Sequence, residues 1–183
     1  MNKNSVFVKH CSDLTGKPYH FSQHDLENLV ASLRPLLAAF PAIEKQLKQA
    51  HVLIKPNLVR PNLTLLPAMT TDPRLILALV RLCHEYQARK VSVGEKPGFG
   101  FPARKAFQLT GIEDYSKSYD FDTIYFDEEP WVRTENPEAD FFRNPLIPQA
   151  ALECDLFINL PKMKTHMHTL VSLGLKNCQG LVA

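Results

Sequence analysis

Lys162, Lys164, His166, His168 and Lys176, with Asn177 directly behind the last of them, crowd into one short stretch near the carboxyl end of the chain. Amines and imidazoles are the side chains that hold anions and move protons at neutral pH, and imidazoles also ligate metals. These residues follow Asp155-Leu-Phe-Ile-Asn-Leu160, an apolar run that reads as a buried strand. Lys162, Lys164, His166 and His168 precede residues 169–177, where Leu170, Val171, Leu173 and Leu175 recur at a spacing that predicts a helix, one that itself holds Lys176 and Asn177. The cations therefore lie on the connection that leaves a strand, and in open α/β sheets the carboxyl ends of parallel strands are where ligands bind.

Two other strand ends carry the same chemistry. His51-Val-Leu-Ile-Lys55 leads into Pro56 and Asn57, and Lys90-Val-Ser-Val-Gly94 leads into Glu95 and Lys96. In a parallel sheet these ends share one edge, so Lys55, Lys96, Lys162 and Lys164 are expected to converge on one crevice, which would attract an anion. Helix amino termini at Asp72-Pro73 and near His168-Thr169 would add backbone N–H donors. The expected ligand is an anionic small molecule or a cofactor bearing an anionic group, with Lys164 or His166 as candidates for proton transfer.

Plainer readings stand beside these. A lysine at a strand end is commonly a solvated cap, and Lys176 reads equally as a helix-end surface cation or a site residue. Gly94-x-x-x-Gly98-x-Gly100 fits neither dinucleotide-binding nor P-loop spacing and reads as a turn that needs positive φ at glycine. His166 and His168, two apart on an extended segment, could share an ion only if His51, Glu95 or Asp72 supplied a third ligand. No metal is assigned on that basis; imidazoles hydrogen-bonded or facing an anion are the simpler account.

The elements that must position these residues alternate strand with helix, which predicts an α/β fold: a mostly parallel sheet with crossover helices on both faces. Residues 5–9 read as a first strand. Residues 24–50 read as helix behind a Ser22 N-cap, broken at Pro35. Asp72-Pro73 opens a helix with Leu75, Ile76, Leu79, Val80, Leu82 and Cys83 on one face. A short helix over 102–109 stops near Gly111, and residues 123–126 form a strand. Residues 128–148, with Pro130, Pro137, Pro145 and Pro148, read as an irregular excursion around Trp131, and 149–153 as a helical turn.

Composition limits the classes open to the chain. Its 183 residues, 45% hydrophobic and 22% charged, suit a single α/β domain spanning 1–183. No apolar run approaches a membrane span and the start lacks a signal-peptide core, so a cytoplasmic location and no membrane partner are expected. Residues 113–140 hold ten acids against two bases, net −8, which leaves the remainder at +10 within an overall +2. With no basic stripe interleaved with aromatics, that asymmetry reads as a solvated acidic face rather than a nucleic-acid footprint. The four cysteines, Cys11, Cys83, Cys154 and Cys178, stand singly, which suits buried reduced thiols and provides neither zinc nor cluster spacing.

Val52-Leu-Ile-Lys-Pro-Asn57, Thr70-Thr-Asp-Pro73, Val91-Ser-Val-Gly-Glu95, the segment 155–161, Lys164-Thr-His166 and Lys176-Asn-x-x-Gly180 resemble the domain of unknown function 362 family. The resemblance covers about residues 50–183. It implies an α/β fold and a shared site around Lys55, Asn57, Lys162, Lys164, His166, Lys176 and Asn177, without implying a reaction. Some members similar to this chain carry ferredoxin-like 4Fe-4S modules. This chain lacks such a cysteine array, so no iron-sulfur cofactor is carried over to its residues and any cluster would belong to a separate module. Similar proteins run on past the lysine-asparagine motif, so the resemblance also implies a chain truncated at its carboxyl end, with the crevice open on one side. The functional expectation is thus an anion-binding α/β domain of a redox or iron-sulfur-associated protein. The alternatives are an accessory domain that docks a redox partner through the acidic face and, by fold-level analogy to nickel-dependent lactate racemase, a metal-dependent racemase-like enzyme.

Overall fold

The computed structural model describes residues 7–9, 11, 22–40, 42–62 and 64–182. Helix α1 (Gln23–Ala38) opens on Ser22, whose hydroxyl accepts from the Asp25 amide while the Asp25 carboxylate accepts from the Ser22 amide, a reciprocal capping box. Contrary to the expected break, α1 runs through Pro35. The carbonyl that proline cannot serve is that of Ala31, an exposed residue, where water can satisfy it. The interruption comes instead before α2 (Ile43–Leu47), after which Gln49, at φ 61°, turns the chain into β1 (His51–Pro56). Of the strand expected over 5–9, residues 5 and 6 lie outside the described residues, and residues 7–9 are exposed and form no strand.

A short helix α3 (Leu66–Met69) precedes α4 (Pro73–Glu85), which starts as its sequence dictates, with Asp72 accepting from the Arg74 amide and proline at the first helical position. β2 (Lys90–Glu95), α5 (Ala103–Leu109), α6 (Ile112–Tyr119) and β3 (Asp122–Tyr125) follow, with Gly111 at φ +71° joining the two helices. The proline-rich segment is more ordered than its composition suggests. β4 (Trp131–Arg133) and β5 (Leu146–Pro148) form an antiparallel pair, because Pro130, Pro145 and Pro148 fall at strand boundaries, where no ladder donor is required. α7 (Gln149–Glu153) leads into β6 (Leu156–Leu160).

The main sheet is wholly parallel, in the order β3-β2-β1-β6. From β1 the chain steps outward through β2 to β3 and then returns to the opposite side of β1, so strand order reverses between β1 and β6. Val52 and Ile54 of β1 and Val91 and Val93 of β2 face α1, α4, α5 and α6 in the core. By alternation His51, Leu53, Lys55 and Asn159 turn to the other face, where α8 (Gly174–Asn177) packs against β6. α8 is all that forms of the helix expected over 169–177. The stretch instead folds into an antiparallel hairpin of β7 (Lys164–His166) and β8 (Leu170–Ser172). Helical spacing implies an apolar face turned inward, yet Leu170, Val171, Leu173 and Leu175 are exposed while Ser172 and Asn177 are buried. A short 3-10 turn over Cys178–Leu181 follows α8.

Candidate functional site

At the carboxyl edge of the sheet, against the ends of β1 and β2, lies a cavity of about 980 Å³. Lys55 and Asn57 reach it from the end of β1, Glu95 and Lys96 from the end of β2, Lys164, His166 and His168 from the β7 hairpin, and Lys176 and Asn177 from α8. Lys162 is the residue of the expected set that does not line it.

The lysines differ in what they already hold. Lys55, 1% exposed, is no solvated cap: its ammonium lies 2.6 Å from Glu95 Oε1. Glu95 also accepts from the Lys96 amide at 2.8 Å and the Leu58 amide at 3.3 Å, tying the ends of β1 and β2 together. Burial pushes the Glu95 carboxyl above its ordinary range, and the Lys55 charge and these N–H donors oppose that push. The Lys96 ammonium sits 4.3 Å from the centre of the Trp131 ring, a cation–π contact. Lys164 donates to the Met69 carbonyl at 2.5 Å and is half-buried. Desolvation lowers its amine to about 8 against the opposing pull of Glu95, with smaller contributions from the neighbouring charges of Lys162 and Lys176 that lower it further. Lys176 donates to the Gln179 side chain.

His166 is defined by its backbone surroundings. Its Nδ1 accepts from the amides of His168 at 3.1 Å and Thr169 at 3.4 Å, so the neutral ring carries its proton on Nε2 and presents a donor. Desolvation, then Lys176, His168 and Lys164, holds its pKa below the usual imidazole value. The ring is thus a neutral hydrogen-bond donor near pH 7, and Lys164 is the better placed of the two for taking a proton.

The expected helix-terminus donors are not available to a ligand. Asp72 itself fills the amino end of α4 and is held by Arg74 at 2.7 Å, while 168–169 is a hairpin turn with no helix to begin. The third metal ligands suggested by sequence are also placed elsewhere: His51, at the far end of β1, meets Ser92 at 2.9 Å, and Asp72 and Glu95 are engaged as described. Among the described residues no group of three or more histidine, cysteine or acidic side chains is arranged to hold a metal ion. The cysteines are all free, and only Cys83 is buried, its thiol pushed up to about 12 by desolvation.

Several positioning residues were not singled out from sequence. Thr71 accepts from the Asn57 amide at 2.9 Å and donates to the Leu160 carbonyl at 2.8 Å, joining the ends of β1 and β6. Asn159 donates to the Gly174 carbonyl at 2.8 Å and accepts from Asn177 at 2.7 Å, docking α8 onto the sheet. A Cβ at Gly180 would stand 2.9 Å from the Lys96 carbonyl oxygen and 3.0 Å from Glu95 Oε1, so the turn after α8 closes over the buried ion pair. Register is the signal that could have located the pair: Ile54 lies opposite Val93, which leaves Lys55 and Glu95 at neighbouring strand ends with opposite charge.

The acidic segment is partly spent within the fold. Glu128 pairs with Arg104 at 2.5 Å, Asp122 with Lys90 at 3.0 Å, and Glu113 accepts from the Tyr125 hydroxyl at 2.8 Å.

A family model described as a domain of unknown function (DUF362) matches residues 52–183, the part of the chain that contains the sheet and every residue lining the cavity. The thylakoid-associated protein sll1697 of Synechocystis sp. (strain ATCC 27184 / PCC 6803 / Kazusa) is 29% identical over 160 residues, which covers 87% of this chain and 48% of that protein. The chain thus spans about half the length of that curated relative. No solved structure matches it.

Proposed function

Taking as premise that the chain belongs to the DUF362 family, a domain of unknown function, we propose that it binds an anionic small molecule at the carboxyl edge of its sheet. The observation that carries this reading is the set Lys164, Lys176 and His166 on one cavity at the carboxyl edge of the parallel sheet. Open parallel sheets bind ligands at such points, and a concave site lined by one sign of charge concentrates the other. Lys55 belongs to the wall rather than to this set, since Glu95 already neutralises it. Lys164 is also the group for proton transfer, should the site be catalytic: its amine, lowered to about 8, is in part neutral at physiological pH.

Isothermal titration with succinate, inorganic phosphate and pyrophosphate at low and moderate salt tests the reading. At least one should bind, more weakly as salt rises, and Lys164→Ala or Lys176→Ala should weaken it by about tenfold, roughly 1.4 kcal/mol. Absence of binding by every anion, or unchanged affinity in both variants, overturns it.

Docking of a redox partner through residues 113–140 is a second reading with less behind it, because Glu113, Asp122 and Glu128 are engaged within the fold. Among the described residues no helix is long and apolar enough to cross a membrane. The sequence-based expectation of a cytoplasmic location is kept as a proposal, and the relative's thylakoid association makes membrane-fraction recovery the measurement to set against it.

A further inference from the structure

Three large apolar residues on the cavity keep most of their surface in water. Phe99 comes from the loop after β2, Phe142 from the loop between β4 and β5, and Leu175 from α8. They are 78%, 67% and 94% exposed. Single exposed apolar side chains are ordinary on a protein surface, but these arrive from three separate segments at one concavity. Phe99 is also held at φ 58°, a left-handed backbone that glycine or asparagine adopts readily and a bulky side chain does not. Gly98 and Gly100 flank it, so the ring stands at the tip of a turn between two glycines. Unfavourable backbone of this kind collects where a side chain meets a ligand.

The same cavity holds Lys164, Lys176 and His166, and the acid on its lining, Glu95, is already paired with Lys55. An inorganic anion or a short dicarboxylate would meet the amines and leave the two rings and Leu175 wet. A neutral apolar molecule would cover the rings and leave the amines without a counter-charge. The volume of about 980 Å³ lies near the upper end of the range for small-molecule sites, which combine apolar walls with a few polar groups that fix orientation. An anion joined to an apolar body satisfies both sets of residues.

We infer that the cavity takes an amphiphilic anion, a carboxylate or phosphate carried on a hydrocarbon body, with its charge on Lys164 and Lys176 and its body against Phe99, Phe142 and Leu175. This rests on the anion-binding reading and specifies its ligand class. The apolar contacts supply affinity in proportion to the hydrocarbon they cover, and the lysines set which end enters.

Isothermal titration of the wild-type chain compares propyl with octyl phosphate and butyrate with nonanoate, below the concentrations at which the longer members form micelles. A fully buried methylene is worth about fourfold in affinity, and about twofold is expected on a rim that leaves part of the chain wet. The longer member should therefore bind about thirtyfold tighter in at least one pair, and that pair identifies the head as phosphate or carboxylate. Phe99→Asn, which suits the left-handed backbone, and Leu175→Ser should each cut that ratio by about threefold or more, while the short member stays within about twofold of its wild-type affinity. Sedimentation with phosphatidylcholine vesicles, with and without phosphatidylglycerol, separates the sources of such an anion. Retention on the acidic vesicles alone, lost in Phe99→Asn, assigns it to a lipid headgroup; no retention assigns it to a free amphiphile. Equal affinity within both pairs, or a chain-length effect intact in both variants, overturns the inference and leaves the anion reading standing. Failure of all four compounds to bind removes both.

Discussion

Lys55 and Glu95 set the character of the site at the level of single residues. Two opposite charges buried at 2.6 Å contribute little net stability against apolar residues of similar size, but either one alone is an uncompensated buried charge. Lys55→Met and Glu95→Leu should therefore each lower the unfolding free energy by about 3–5 kcal/mol, and the two together by clearly less than their sum. Urea unfolding of the single and double variants measures the coupling; strict additivity would mean the two do not act as a pair. Lys164 supplies a pH dependence of defined sign. Its folded value of about 8 lies below the 10.5 of the free amine, so between these values the unfolded chain holds a proton that the folded chain has released. The unfolded state then binds more protons, and stability contributed by this group rises with pH across that window. Lys164→Met should flatten the rise in unfolding free energy between pH 8 and 10.5, modestly, because the amine is only half-buried. A variant with the wild-type pH profile would place Lys164 in ordinary solvent.

Elements explain which parts of this arrangement sequence could disclose. β1, β2 and β6 are short apolar runs in an alternating strand-helix pattern, and Asp72-Pro73 is an N-cap with proline behind it, so their identity follows from local chemistry. The hairpin of β7 and β8 does not, because its apolar residues face outward and the periodicity that indicates a helix assumes they face in. Pairing between β4 and β5 was hidden for a different reason: its prolines mark strand edges, and nothing local distinguishes an edge from a loop. Of the site, the lysine-histidine segment and Asn57 were legible as types at strand ends. The neutralisation of Lys55 was not, since it depends on which strands are neighbours. Gly180 shows how closely the last turn is fitted to that pair. Gly180→Ala places a methyl group against backbone at 2.9 Å and should cost about 1–3 kcal/mol, whereas Gly98→Ala, with nothing within 4 Å, should be nearly silent. Thermal unfolding of the two alanine variants separates them; equal melting temperatures would show that the turn after α8 does not press on the strand ends.

For the whole molecule, the sheet order and the charge distribution act together. The four parallel strands share one carboxyl edge, where the ends of β1 and β2 line the cavity together with Lys164, Lys176 and Lys96, while none of the acids of 113–140 lines it. Loops 57–71 and 95–100, the hairpin and α8 are tied to one another through Thr71, Glu95, Asn159 and Lys164, so a ligand that engages the cavity engages all of them. Binding to the folded state alone stabilises it by about 2.7 kcal/mol at a hundredfold excess over Kd, and for a chain of this size each kcal/mol corresponds to roughly 2–4 °C in Tm. The anion found to bind should therefore raise Tm by about 5–10 °C at that excess. It should also slow amide hydrogen exchange at residues 57–71, 95–100 and 164–180 more than in β4 and β5, whose own residues do not line the cavity. Protection centred on residues 113–140 instead would move the binding surface to the acidic side of the molecule and exclude the cavity as its seat.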